Sequence, residues 1–139
     1  MSSYIHNVTF DCADPYSLAE FWSKVTSCPI AKGDKPGDKE VDVPLDQHLN
    51  LVFIRVPESK TVKNRVHVCL RPDGERDIEV DRLLELGARM VADRRRKSGT
   101  GWVVFADPEG NEFCLLRGVL RHKRSEIPGR DAQVAPNGA

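Results

Sequence analysis

Apolar and polar residues alternate along residues 5–12: Val8, Phe10 and Cys12 fall on one side, and Asn7, Thr9 and Asp11 on the other. A period of two marks a strand with one apolar face. Asp14-Pro15 then predicts a helix start, because Asp accepts hydrogen bonds at an N-cap and proline's fixed φ suits the first turn. Leu18, Phe21, Trp22 and Val25 follow at helical spacing and predict the stripe this helix buries, with Cys28-Pro29 beyond its end. Residues 32–39 are polar and turn-rich. Shorter alternations at residues 40–44 and 49–56 predict two strands, the second setting Leu49, Leu51 and Phe53 against Asn50, Val52 and Ile54.

The opening pattern then recurs. Residues 65–71, RVHVCLR, place Val66, Val68 and Leu70 on one face and His67, Cys69 and Arg71 on the other. A helix is predicted over residues 75–86, with Ile78, Val80, Leu83, Leu84 and Leu86 as apolar positions and Gly87 as its C-cap. Strands are predicted at 88–93, 101–105 and 112–117, with a basic loop at 94–100 and a tight turn at 107–111. Superposing Asn7 on His67 aligns Val8 with Val68 and Phe10 with Leu70. The chain therefore reads as two copies of one βαβββ module, about residues 4–57 and 64–117. Neither copy has enough apolar surface for a core of its own, so a single domain over residues 1–117 is expected. Residues 118–139, rich in Arg, Pro and Gly, read as a C-terminal extension, partly disordered.

Charge and composition narrow the function classes. The 139 residues carry 21 Lys+Arg and 21 Asp+Glu, for a net charge of zero. This excludes a nucleic-acid binder working through bulk positive charge. The basic run Arg94-Arg95-Arg96-Lys97 has no interleaved aromatic and reads as a solvated loop. No apolar run is long enough to span a membrane, and residues 1–7 lack the pattern of a secretory leader. The four cysteines, Cys12, Cys28, Cys69 and Cys114, form no C-x-x-C pair. A reduced, cytoplasmic protein is the expectation.

Three stretches together carry a resemblance: HNVTFDCADPYSLAEFW at residues 6–22, NRVHVCL with LLELGA within 64–88, and GWVVFADPEGNEFCLL at 101–116. The last, with its DPxGN turn between two strands, is the most specific. The chain resembles the vicinal oxygen chelate superfamily, the glyoxalase, bleomycin-resistance and dioxygenase group. The resemblance covers about residues 4–117. It implies an α+β fold in which two βαβββ modules form a cup-shaped curved mixed sheet with helices on the outside. Many members hold a divalent metal in the cup, with one ligand from the first and last strand of each module. Carried over residue by residue, those positions are Asn7, a residue near Ile54, His67 and Cys114. The resemblance also implies a homodimer.

Asn and Ile make this a poor ligand set, so no metal or other cofactor is expected. The alternative is a divalent cation held by His67, Cys114 and Asn7, with Cys69 as a further candidate on the face of His67. Asn7, Thr9, Asp11, His67, Cys69, Trp102 and Cys114 are the expected lining of a ligand cavity. Asp11 and His67 are the candidate catalytic bases, and Cys114 beside His67 is a candidate nucleophile. The leading function is binding of a small organic molecule without a metal. The alternative is a metal-dependent lyase, isomerase or dioxygenase.

Overall fold

The structure is a computed structural model that describes residues 1–118. Apart from Gly118, the extension expected at 118–139 lies outside the described residues. The chain divides into two compact units, Met1–Thr61 and Val62–Ala139.

In the first unit, β1 (Asn7–Cys12), α1 (Pro15–Thr26), β2 (Glu40–Pro44) and β3 (Asn50–Arg55) follow in order. The sheet order is β1-β3-β2, with β1 parallel and β2 antiparallel to β3. As expected, the Asp14 carboxylate caps α1 by accepting from the Ser17 N–H at 3.2 Å. Helix α1 packs on β2 and β3. The Trp22 ring is tilted 5.4 Å from Phe10, which stacks on Phe53 at 5.2 Å, so the Val8–Phe10–Cys12 face of β1 looks toward the helix. Burying each large side chain of this cluster stabilises the unit by about 1.5–3 kcal/mol. By strand alternation, Asn7, Thr9 and Asp11 take the opposite face. Leu51, Val52 and Phe53 are all buried on β3, the central strand of the three. This unit has three strands; residues 27–39, which precede β2, form turns and bends.

The second unit contains β4 (Val68–Leu70), α2 (Arg76–Leu86), β5 (Arg89–Asp93), β6 (Val103–Ala106) and β7 (Glu112–Leu115), a βαβββ order. Its sheet runs β4-β7-β6-β5, with β4 parallel to β7. Strand β4 is shorter than the 65–71 alternation predicts, and Val66 is 82% exposed. The register explains this. Val68 pairs with Phe113, so residues 65–67 would need 110–112 as partners, and the turn at 107–111 occupies most of that stretch. Helix α2 also differs from expectation. Val80 and Leu83 are buried with Arg76, whereas Ile78 and Leu84 are exposed. The residues at 76, 80 and 83 share one face by helical spacing, and Ile78 lies across the axis from it.

Two loops fix this unit. Buried Asp107 accepts from the N–H groups of Glu109 and Asn111, each at 2.9 Å, and from the Asn111 side-chain amide. Its own N–H donates to Asn111 O at 2.8 Å, which closes the β6–β7 hairpin. The Arg76 guanidinium, 9% exposed, donates to the carbonyls of Gly101 (2.8 Å) and Thr100 (3.2 Å). The basic run is partly neutralised, since Arg95 pairs with Asp93 and Asp77 at 2.7 Å each. No helix among the described residues is long and apolar enough to cross a membrane.

Candidate functional site

The parallel pairing of β4 with β7 sets Cys69 directly opposite Cys114. Paired residues in adjacent strands point to the same face, and His67, two residues before Cys69, returns to that face. One imidazole nitrogen of His67 and the two sulfurs all lie within 4.8 Å of one another. Cys114 in turn pairs with Val104 on β6 and packs with Trp102, Val104, Leu116 and Ala92. The result is an apolar sheet face with three polar, reactive groups at one end.

Their environments differ sharply. Cys114 is fully buried, His67 is half-buried and Cys69 is exposed. The Cys114 S–H donates to the Cys69 sulfur and holds the Cys69 thiol at about 6, well below the ordinary value of 9.0. Burial opposes this shift, while the charge and hydrogen bond of His67 reinforce it. The same bond, with burial, pushes the Cys114 thiol up from its ordinary value. The lowered value favours a thiolate at Cys69, with the Cys114 thiol as its hydrogen-bond donor.

Trp102 is 8% exposed, and its buried Nε1–H has no hydrogen-bond partner among the described residues. Such an unmet donor costs about 1–3 kcal/mol. Of the remaining expected site residues, Asn7, Thr9 and Asp11 belong to β1 of the first unit. Asn7 donates through Nδ2 to Thr9 Oγ1 at 2.7 Å, and Thr9 and Asp11 are exposed. Their register partners on β3 are Asn50, Val52 and Ile54, none of which offers a thiol, an imidazole or a carboxylate.

The donor chemistry tests whether these residues fit a metal. The four positions implied by the family resemblance do not, because Ile54 has no donor atom and Asn7 is a weak neutral ligand. The set His67, Cys69 and Cys114 does fit a thiophilic divalent cation, with one nitrogen and two sulfurs from a single sheet. Sequence reasoning placed Cys69 on the His67 face. It did not see that β4 and β7 would align Cys69 with Cys114, because parallel register is a long-range property.

Residues 7–116 match the family of glyoxalase-like domains. The chain belongs to that family. No curated protein matches it. Solved structures of similar fold include the fosfomycin resistance protein FosX from Listeria monocytogenes, complexed with Mn(II) and dihydroxypropylphosphonic acid. FosX is 22% identical with a TM-score of 0.66, covering 86% of this chain and 94% of FosX. A glyoxalase/bleomycin resistance protein/dioxygenase family enzyme from Burkholderia phytofirmans is 15% identical with a TM-score of 0.63, covering 85% of this chain and 100% of that one. A possible glyoxalase from Bacillus cereus is 16% identical with a TM-score of 0.62, covering 83% and 99%. These likenesses support the α+β vicinal oxygen chelate fold expected for this glyoxalase-like domain.

Proposed function

We propose that this glyoxalase-like domain binds a small organic molecule on the face of the second sheet that carries His67, Cys69 and Cys114. One observation carries the reading: an imidazole and two sulfurs converge within 4.8 Å at the end of an otherwise apolar face. Ligand sites characteristically combine apolar walls with a few placed polar groups. His67 and the unpartnered Trp102 Nε1–H suit a ligand with acceptor oxygens, beside the buried apolar cluster of Val104 and Leu116. The exposed Cys69 leaves the cluster open to solvent. A cytoplasmic setting and a homodimer belong to the same proposal.

The test is a thermal-shift screen of small carboxylates, phosphonates and hydroxyketones. A compound bound only to the folded state raises Tm, by an amount that grows with its concentration. The expected outcome is a shift in the wild type that disappears in His67→Ala and shrinks in Trp102→Phe. A shift that persists in both variants places the ligand elsewhere.

A second reading, a metal-dependent enzyme, is favoured by the composition of the same cluster. His67, Cys69 and Cys114 would hold a thiophilic divalent cation, and when bound it would supply a Lewis acid toward a substrate oxygen. Elemental analysis of the purified protein separates the two readings. One equivalent of zinc or nickel that is lost in His67→Ala would favour the metal-dependent enzyme.

A further inference from the structure

We propose that Cys69 is an oxidative modification site and that Cys114 is its resolving partner, so that peroxide converts the pair into a disulfide joining β4 to β7. The inference stands on the register and on the unequal exposure of the two thiols.

Cys69 and Cys114 are Cα partners in a parallel ladder. Adjacent strands lie about 4.8 Å apart, inside the range of about 4.4–6.8 Å over which two Cα atoms are bridged by a disulfide. The side chains share a face, and their sulfurs already lie within 4.8 Å of each other. Closure therefore requires side-chain rotation and little movement of the backbone. Exposure sets the order of events. Cys69 is open to solvent and meets the oxidant first, whereas Cys114 is buried and reacts only with what Cys69 becomes.

The chemistry balances with a hydroperoxide as oxidant. The Cys69 sulfur attacks one peroxide oxygen; an S–O bond forms, the O–O bond breaks, and the leaving hydroxide takes up the proton that the Cys69 thiol released on ionising, to leave as water. The Cys114 sulfur then attacks the sulfenic sulfur. An S–S bond forms, the S–O bond breaks, and a second water leaves with the Cys114 proton. Two thiols are oxidised to one disulfide while one hydrogen peroxide is reduced to two waters. The other two cysteines are elsewhere: Cys12 is buried at the end of β1, and half-buried Cys28 follows α1.

One consequence rests on the binding reading above. Oxidation ties up both sulfurs beside His67 and removes them from any ligand, so occupancy of the site would respond to peroxide. The disulfide itself does not need that reading.

The experiment treats the full chain with stoichiometric hydrogen peroxide after dithiothreitol has been removed. Free thiols are counted, and peptides are mapped by mass spectrometry without reduction. Two of the four thiols should disappear, with a linked peptide containing Cys69 and Cys114 that dithiothreitol releases. Cys69→Ser should abolish the linked peptide. Cys114→Ser should stop at a Cys69 sulfenic acid that dimedone traps. The proposal is overturned if wild-type Cys69 proceeds to sulfinic acid while Cys114 stays free, or if the linked peptide contains Cys12 or Cys28. Repeating the thermal-shift screen on oxidised protein separates the two claims. A linked pair with an unchanged ligand shift overturns only the regulatory consequence. A ligand shift in reduced protein with no linked pair overturns only the disulfide.

Discussion

The two units use the same connection for different chemistry. In the first, β1 runs parallel to β3; in the second, β4 runs parallel to β7. Each pairing lines up residues of the unit's opening strand with residues of its closing strand. In the first unit Thr9 meets Val52 and Asp11 meets Ile54, a polar group against a hydrocarbon each time. In the second, Cys69 meets Cys114 beside His67. The backbone topology supplies the meeting place, and the side chains at a few register positions decide whether chemistry is available there.

The loops offer the largest way to sharpen that contrast. Gly101 has φ +84°, and a Cβ there would lie 2.0 Å from Arg94 O. Gly37 has φ +92°, but a Cβ would meet nothing within 4 Å. Gly101→Ala should cost about 3 kcal/mol or more, since strain and backbone overlap combine. Gly37→Ala should cost only the conformational strain, about 1–2 kcal/mol. Urea denaturation measures both, and equal costs would show that the two loops are equally adaptable.

A second test concerns the thiol pair in metal-free protein. Alkylation of Cys69 by iodoacetamide should fall as pH drops through about 6. The sign follows from the lowered value: the anion is present at neutral pH and is lost on acidification. Cys114→Ala removes the largest cause and should move the inflection up toward the ordinary 9.0. An unmoved inflection would assign the effect to His67 instead.

The smallest effect is electrostatic. The Arg95 guanidinium holds the Asp93 carboxyl at about 2, below the ordinary 3.8. A depressed carboxyl stabilises the fold above its unfolded value and loses that contribution as pH falls through its folded one. Because the pair is partly exposed, Asp93→Asn should cost under about 1 kcal/mol at neutral pH. The difference between variant and wild type should close between pH 3.8 and about 2, followed by thermal unfolding.

Local features of the fold were legible in the sequence. The alternation around Phe10, the Asp14-Pro15 helix start and the turn from Asp107 to Asn111 are all written in neighbouring residues, and all appear in the structure. What depends on distant partners was not legible. Strand β4 stops short because β7 does, and Ile78 and Leu84 lie exposed although they share a helix with buried Val80 and Leu83. For the same reason the register that sets Cys69 directly opposite Cys114, forty-five positions apart, was not legible, although both were expected beside His67. The expected lining from Asn7, Thr9 and Asp11 rests on β1 alone, whereas His67, Cys69, Cys114 and Trp102 are gathered by one sheet.

The Asp107 turn reaches further than its own hairpin. Side chains along β7 alternate between faces, so sliding β7 by one position against β6 would turn Cys114 to the reverse side of the sheet. By clamping the amides at 109 and 111, the Asp107 carboxylate acts as an indexing pin for that strand. A single-residue insertion between Pro108 and Gly110 would dismantle the sulfur pair without altering any of its atoms.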